Sequence, residues 1–364
     1  MKIRALSFIL LLCLASTSYG QSKDTTDKYA KARAIIIDRD RILTPNGVQE
    51  NYEVPVGGVK QWVFVRGYDK ENPIILFVHG GPASPLAPVA WMYQRPIEEY
   101  FTVVNYDQRA SGKTYRTNDT TGLGETIHID RYVDDAVELA EFIRKKYNKK
   151  KLVLAGHSWG TIVAMRAALK RPDLFYAYVG IGQAINVMDN ERLSFEFGVK
   201  EATRLKNEEA LKELQSIAPY PGDKPVTRDR IIIARKWPQY YGGLTAYREE
   251  SMYFYNGPLL SPDYERKDVR AIDDGNIFTL GRILPEFLAV DFKKVKTFPI
   301  PVLMFMGRHD YTTPSVPTEA WLQQVKAPYK KGIWFEHSSH MIPMEEPGKV
   351  FLSLVQYVLP LTQK

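Results

Sequence analysis

The pentapeptide Gly156-His157-Ser158-Trp159-Gly160 places a serine between two glycines, each two positions away from it. This spacing is typical of a serine nucleophile on a sharp turn between a strand and a helix, where the glycines let the backbone close. An apolar run, Leu152 to Ala155, precedes the motif, and a helical pattern from Thr161 to Lys170 follows it. We therefore predict that Ser158 is a nucleophile in acyl transfer. A glycine-lined turn with an incidental serine is the alternative.

A nucleophilic serine needs a histidine base and an acid that orients this histidine. On this type of turn, the acid and then the histidine follow the serine along the chain. Asp310 follows an apolar strand-like run and is the predicted acid, whereas Asp107 precedes the serine and breaks the order. Two histidines, His337 and His340, lie in one loop after the last strand-like run, and the residues alone do not separate them.

Acyl transfer also needs two hydrogen-bond donors for the negatively charged oxygen of the tetrahedral intermediate. The Trp159 N–H is one predicted donor, and the other is expected from the loop after the strand-like run Ile74 to Val78. That loop reads His79-Gly80-Gly81-Pro82, and its glycines allow the backbone to approach an oxyanion closely. A plain Gly-Pro turn is the alternative, and His79 is expected to brace the loop.

The elements that would position these residues alternate along the chain. A hairpin is predicted from strand-like runs at Gln49 to Val56 and Lys60 to Arg66, with Gly57-Gly58 between them. Strands then alternate with helices, which indicates the α/β class, with a mostly parallel sheet flanked by helices. The predicted strands after the hairpin are Ile74–Val78, Phe101–Tyr106, Leu152–Ala155, Tyr176–Ile181, Val302–Met306 and Ile333–Phe335.

One stretch, residues 183–301, interrupts this alternation. Its pattern predicts several helices, including Glu191 to Lys206 and Glu208 to Ser216, joined by loops that contain proline and glycine. A structureless loop of this length is uncommon in a compact domain, so we predict a mainly helical cap. It would lie over the carboxyl ends of the strands, where open α/β sheets bind ligands. Residues 45–182 and 302–364 would form the catalytic domain.

The first twenty residues are predicted to be a secretory signal peptide. A positively charged start, the apolar run Ala5 to Ala15 and small residues at Ser18 and Gly20 fit cleavage after Gly20. The apolar run is about half of the ~20 residues that a membrane helix requires, so no membrane span is expected. The expected location of the mature chain is therefore the periplasm or the outside of the cell. Residues 21–44 are mostly polar and form a predicted lead-in, loosely held.

The composition excludes several other classes of protein. The 364 residues are 45% hydrophobic and 25% charged, which is typical of an ordinary globular protein. The formal net charge is +7, but the basic residues are scattered, so no nucleic-acid partner is expected. Cys13 is the only cysteine and lies in the predicted signal peptide, which excludes disulfides and thiol nucleophiles from the mature chain. The six histidines show no metal-binding spacing, and neither a metal nor a cofactor is expected.

Three segments together resemble the proline iminopeptidase branch of the α/β hydrolases: HGGP at 79–82, DQRASGKT at 107–114 and GHSWGT at 156–161. The resemblance extends over residues 45–182 and 298–358 and implies the α/β-hydrolase fold. The family has glycine where this chain has Ala83 and Ala110.

The resemblance also implies which histidine is catalytic. In the family, this histidine is followed by glutamate five residues later and by proline seven residues later. His340 has Glu345 and Pro347 at those positions, whereas His337 does not. The implied triad is therefore Ser158, Asp310 and His340, with an oxyanion hole formed by the N–H groups of Gly81 and Trp159.

The implied substrate is a short peptide or amino-acid amide that is cleaved at its amino terminus through an acyl-enzyme. Proline iminopeptidases hold the substrate's amino group with cap carboxylates, and Glu191, Glu249 and Glu250 are candidates, although an ordinary surface acid is the simpler interpretation of each. An esterase or amidase of small acyl compounds is the alternative function, and a non-catalytic binding protein is a third. A group of cap aromatics is expected to form the cap core or line a pocket: Trp237, Tyr240, Tyr241, Tyr247, Tyr253, Phe254 and Tyr255.

Overall fold

The computed structural model describes residues 27–249 and 251–363. The predicted signal peptide, residues 1–20, lies outside the described residues, and so does Glu250. Within the described part of the chain, no helix is both long enough and apolar enough to cross a membrane.

Eight strands in the described residues form one sheet, in the spatial order β1-β2-β4-β3-β5-β6-β7-β8. The first two strands pair antiparallel as a hairpin, β2 pairs antiparallel with β4, and all other neighbours are parallel. The prediction of a hairpin followed by a mostly parallel sheet is confirmed. The strands are β1 (Val48–Val56), β2 (Val59–Gly67), β3 (Ile74–Val78), β4 (Thr102–Tyr106), β5 (Leu152–His157), β6 (Phe175–Ile181), β7 (Val302–Gly307) and β8 (Lys330–Phe335).

Helices cover both faces of this sheet, and for this reason β3, β4, β5 and β7 are buried at every residue. The helix before β5 shows how the sequence achieves this, because its predicted apolar stripe from Val133 to Ile143 faces the core. The helices are α1 (Ala30–Arg39), α2 (Arg95–Glu98), α3 (Gly112–Thr117), α4 (Ile129–Lys146), α5 (Trp159–Lys170), α6 (Val187–Arg204), α7 (Glu208–Ser216), α8 (Arg228–Pro238), α9 (Met252–Asn256), α10 (Arg266–Leu288), α11 (Ser315–Gln324), α12 (Ile342–Glu345) and α13 (Pro347–Ser353).

The helical insertion, residues 183–301, lies between β6 and β7 and contains α6 to α10. Three of its helices begin at side chains that accept a hydrogen bond from a backbone N–H of the first turn, which stabilises a helix start. These are Asn186 before α6, Asn207 before α7 and Thr227 before α8. The insertion also has its own apolar cluster, which includes Phe195, Leu214 and Trp237.

The lead-in differs from the sequence prediction, because it contains the helix α1 rather than only loosely held chain. No residue of α1 is buried, and so its sequence carries no strong apolar stripe by which periodicity could reveal it. The helix is attached through Arg33, whose guanidinium donates to the Leu259 carbonyl at 3.0 Å.

Candidate active site

Ser158 lies on a sharp turn at the carboxyl end of β5, an interior strand of the sheet, and directly before α5. Its backbone has φ 54° and ψ −126°, a conformation that costs a non-glycine residue free energy and is concentrated at functional sites. The flanking glycines are required by close packing. A Cβ on Gly156 would lie 2.7 Å from the Gly160 carbonyl oxygen, and a Cβ on Gly160 would collide with the Val78 carbonyl oxygen. The turn therefore has the geometry expected of a nucleophile-bearing serine.

Asp310 and His340 are brought together from two neighbouring strands. Asp310 follows β7 and His340 follows β8, and both residues are buried. The Nδ1 atom of His340 lies 2.9 Å from Oδ2 of Asp310. The other carboxylate oxygen accepts the N–H groups of Thr312 and Thr313 at 2.9 and 2.8 Å, which fixes the orientation of Asp310. His340 lines the same cavity as Ser158.

The conformation of the loop after β8 distinguishes the two histidines that were equally good candidates from the residues alone. His340 is buried, whereas His337 is exposed to solvent. Two glutamates of the following segment hold the loop: Glu345 accepts the Ser339 N–H at 2.8 Å, and Glu346 accepts the His337 N–H at 3.0 Å. Glu345, the glutamate five residues after His340, thus has a structural role, because it closes the loop that turns His340 inward.

Two further histidines stay neutral beside this centre. Burial lowers the pKa of His157 to about 3, and the charge of His340 adds to this effect. The Nε2–H of His157 donates to the His340 carbonyl at 3.0 Å, because a carbonyl can only accept. Burial likewise lowers the pKa of His79 to about 4. A neutral His157 positions His340 without placing a second positive charge beside it.

Gln108 connects the three motifs that carry the family resemblance. Its Nε2 donates to the His79 carbonyl at 2.8 Å, and its backbone N–H donates to Nε2 of His79 at 3.1 Å. Its Oε1 accepts from the indole Nε1 of Trp159 at 3.2 Å. Gln108 thereby links the tryptophan after the serine to the loop after β3.

The predicted oxyanion donors lie beside Ser158. Gly81 lines the cavity that Ser158 lines, and Trp159 is the first residue of α5. Among the described residues, no atom accepts a hydrogen bond from the N–H of Gly81 or of Trp159, so both donors remain available. Ala83 and Ala110, which replace family glycines, are buried at φ 61° and 58°, which explains why glycine is favoured there.

A cavity of about 740 Å³ opens above Ser158, between the strand-end loops and the helical insertion. Among the described residues that line the cavity, two are aspartate, glutamate, lysine or arginine: Asp273 on α10 and Arg235 on α8. Burial raises the pKa of Asp273, and the charge of Asp274 raises it further. Neither residue was predicted from the sequence. The signal that could have revealed Asp273 is helical spacing, because the lining residues of α10 recur as one stripe: Val269, Ile272, Asp273, Asn276, Ile277 and Leu280.

The acids predicted as partners of the substrate's amino group do not line the cavity in the described part of the chain. Glu191 is buried at 1% exposure and paired with Arg235, so its interpretation as a surface acid is wrong. Glu249 is exposed and does not line the cavity. The aromatic group divides, since Phe254 and Tyr255 line the cavity, whereas its other members lie away from it: Trp237, Tyr240, Tyr241, Tyr247 and Tyr253. Across the described residues, no group of three or more histidine, cysteine or acidic side chains could hold a metal ion.

Asp107, the acid excluded by chain order, has a different environment from Asp310. It is fully buried, accepts from the Tyr264 hydroxyl, and accepts the Lys113 N–H at 2.7 Å. Burial raises its pKa from 3.8 to about 7, despite those hydrogen bonds. Asp107 therefore fastens the loop after β4 to the helical insertion and does not contact His340.

This raised pKa predicts a dependence of stability on pH. The folded chain holds a proton on Asp107 up to about pH 7, whereas the unfolded chain releases it near pH 4, so this group's contribution to the free energy of unfolding falls as pH rises between these values. Asp107→Asn does not titrate. The stability of the wild type relative to this variant should therefore decrease from about pH 5 to about pH 8 in urea unfolding. A difference that is constant with pH would show that Asp107 ionises normally.

Comparisons with known proteins identify the family of the fold. The alpha/beta hydrolase family profile matches residues 75–354. A Bacillus subtilis protein named "Probable aminopeptidase YbaC" is 30% identical over 81% of this chain and 92% of its own length. A proline iminopeptidase of Saccharolobus solfataricus is 22% identical over 85% of this chain and 92% of its own length.

A solved structure shows the same fold at lower identity. The proline iminopeptidase-related protein of Thermus thermophilus superposes with a TM-score of 0.58 at 18% identity, over 87% of this chain and 99% of its own. The profile match spans most of the chain, and it includes the serine turn, the strand ends that carry Asp310 and His340, and the helical insertion. The chain therefore belongs to the alpha/beta hydrolase family.

Proposed function

We propose that this chain is a serine hydrolase that releases the amino-terminal residue from short peptides or amino-acid amides. The observation that carries the proposal is the buried Asp310–His340 pair, whose histidine lines the same cavity as Ser158. Asp273 is the one aspartate or glutamate among the described residues that line this cavity. The names of the relatives, aminopeptidase and proline iminopeptidase, favour the same class of reaction. The signal-like pattern of residues 1–20 further supports a site of action outside the cytoplasm.

The proposed reaction proceeds through a covalent acyl-enzyme. Nε2 of His340 takes the proton of the Ser158 hydroxyl as Oγ attacks the substrate carbonyl, while Asp310 stabilises the imidazolium that forms. The N–H groups of Gly81 and Trp159 hold the oxyanion. His340 then protonates the leaving amine, and the C–N bond breaks. Water attacks the acyl ester with His340 again as base, which releases the acid and restores Ser158.

Asp273 is the proposed partner of the substrate's ammonium group. A carboxylate inside a cavity stabilises a cation strongly, because the apolar surroundings screen the charge less than water does. Asp273 is exposed to the solvent of the open cavity, and partial desolvation together with the charge of Asp274 raises its pKa, so a bound cation would stabilise the ionised carboxylate. Asp273→Asn should therefore raise KM for aminoacyl amides by about 10- to 100-fold, the loss expected when a charged hydrogen bond is removed. Steady-state kinetics of the variant measure this effect.

The test of the whole proposal compares matched substrates. An aminoacyl amide should be cleaved, and its N-acetylated counterpart should be cleaved with a kcat/KM at least about 100-fold lower, because it lacks the ammonium group. Simple esters of small acids without an amine test the alternative. Turnover of these esters together with equal rates on the free and acetylated amides would favour the esterase or amidase function and reject the aminopeptidase.

Asn276 on α10 is expected to position the oxyanion loop. It is buried at 8% exposure, and its Nδ2 donates to the Pro82 carbonyl at 2.6 Å. Asn276→Leu would leave this carbonyl without a partner and let the loop shift. We expect kcat to fall by about 10- to 100-fold with a smaller change in KM, because small displacements of catalytic groups are costly. Arg270→Gln, an exposed change on the same helix, should keep kcat. A proportional fall in melting temperature and kcat in both variants would contradict a specific role.

A further inference from the structure

Arg235 is a cation inside the cavity that the proposed reaction does not use. It lies near the end of α8, and it shares the cavity with Ser158, His340 and Asp273. Much of the surrounding wall is apolar, with Ile231 on the same helix among its members. A charged donor in such a wall is costly unless it is paired, so the contacts of each edge of the guanidinium decide whether it can bind a ligand.

The guanidinium is held rigidly on one edge. Its Nε donates to Oε1 of Glu191 at 3.0 Å, and its Nη2 donates to the same oxygen. The other oxygen of Glu191 accepts from the Tyr220 hydroxyl, so Glu191 is itself fixed. Because Glu191 is buried beneath the arginine and not in the cavity lining, the pair orients Arg235 toward the cavity.

The other edge of the guanidinium is available. Within residues 27–249 and 251–363, no atom accepts a hydrogen bond from Nη1 of Arg235. The side chain is 20% exposed, so a ligand can reach it. Nη1 carries two N–H groups, and a carboxylate is the ligand that such an edge binds best. Burial lowers the pKa of Arg235, but Glu191 and Tyr220 together raise it above its ordinary value, so the guanidinium stays charged.

We propose that Nη1 of Arg235 binds the carboxylate of the substrate, so that the enzyme prefers short peptides with a free carboxyl terminus over their amides. Asp273 and Arg235 would then hold the two ends of a zwitterionic peptide, with the scissile bond between them at Ser158. A cavity of about 740 Å³ is large enough for a ligand of this size. The inference rests on the proposed function, because it names the residue that binds the end of the substrate opposite to the ammonium group.

The test uses a dipeptide with a free carboxyl terminus and the amide of the same dipeptide. The measured quantity is the ratio of kcat/KM for the acid to kcat/KM for the amide. We expect a ratio of about 10 or more in the wild type, the preference that one charge-assisted hydrogen bond supplies. In the double variant Glu191→Gln/Arg235→Gln, which leaves no unpaired buried charge, the ratio should fall to about 1.

Two controls separate a binding role from a structural one. Lys236→Gln removes a neighbouring cation that is paired with Glu213 and does not line the cavity, and this variant should keep the wild-type ratio. Glu191→Gln alone keeps the guanidinium but removes its counter-charge, and should increase the ratio. A purely structural Arg235 would lower both rates together in every variant of the pair and leave the ratio unchanged.

The outcomes also distinguish this inference from the proposed function. A wild type that cleaves the amide as well as the acid, or better, overturns the carboxylate site while the aminopeptidase stands. If neither dipeptide is cleaved, the aminopeptidase fails. Calorimetric titration of Ser158→Ala with both dipeptides then decides the carboxylate site alone. Tighter binding of the acid than of the amide, by about 10-fold, supports the site, and equal affinities reject it.

Discussion

Replacing Ser158 by alanine is expected to lower kcat by about 10⁶-fold, the scale of loss seen when the nucleophile of a serine hydrolase is removed. The expectation follows from the geometry of the turn, which holds Ser158 at φ 54° between Gly156 and Gly160 in the lining of the cavity. Without Oγ no acyl-enzyme forms, and His340 has no proton to take. Steady-state turnover and covalent labelling by a fluorophosphonate probe both measure the loss.

Ser84 provides a matched control for the labelling experiment. Ser84 is the other serine among the described residues that line the cavity, but it lies in the loop after β3 rather than on the turn after β5. Ser84→Ala should therefore still be labelled, with the adduct mapped to the peptide that contains Ser158. A wild type that resists the probe, or an adduct that persists in Ser158→Ala, would reject Ser158 as the nucleophile.

The framework around Ser158 could be predicted because its signals are local. Strands buried on both faces are continuous apolar runs, and for this reason the predicted strand Ile74–Val78 has the bounds observed for β3. Chain order and the strand ends then pointed to Asp310. The two histidines of the next loop were different, because both follow β8 and neither neighbourhood reveals which one faces inward. In the structure His340 is buried against Asp310 and His337 is exposed, and Glu345 closes the loop that turns His340 inward.

The cavity wall could not be predicted, because it depends on how helices of the insertion pack. Glu191 and Arg235 are 44 positions apart and meet only when α6 packs against α8. Asp273 and Asn276 lie on one stripe of α10, but the helix period alone does not state whether that stripe faces the serine or another helix. The roles of these residues remain predictions, and so does the triad itself, which the kinetic experiments test.

Replacing Asp310 by asparagine is expected to lower kcat by about 10⁴-fold while the fold is preserved. Oδ1 of Asp310 accepts two backbone N–H groups, those of Thr312 and Thr313, and an asparagine would keep its amide oxygen there. Its NH₂ group would then face Nδ1 of His340, where Oδ2 now lies at 2.9 Å. Nδ1 would have to accept, which places the imidazole proton on Nε2, and such a tautomer cannot take the proton of Ser158. Steady-state kinetics, with circular dichroism to verify the fold, measure the loss.

Asp107→Asn is the matched control, because both aspartates are buried and both follow a strand of the sheet. Asp107 accepts from Tyr264 and the Lys113 N–H and has no hydrogen bond to His340 among the described contacts, so its asparagine variant should retain turnover. Both variants replace a buried aspartate by asparagine. Only Asp310→Asn changes the group that contacts His340. A 10⁴-fold loss in Asp107→Asn with an active Asp310→Asn would assign the acid to β4 and overturn the triad, whereas equal losses in both would indicate a structural effect. Loss confined to Asp310→Asn ties the rate to the tautomer of His340, which is the step that the buried pair controls.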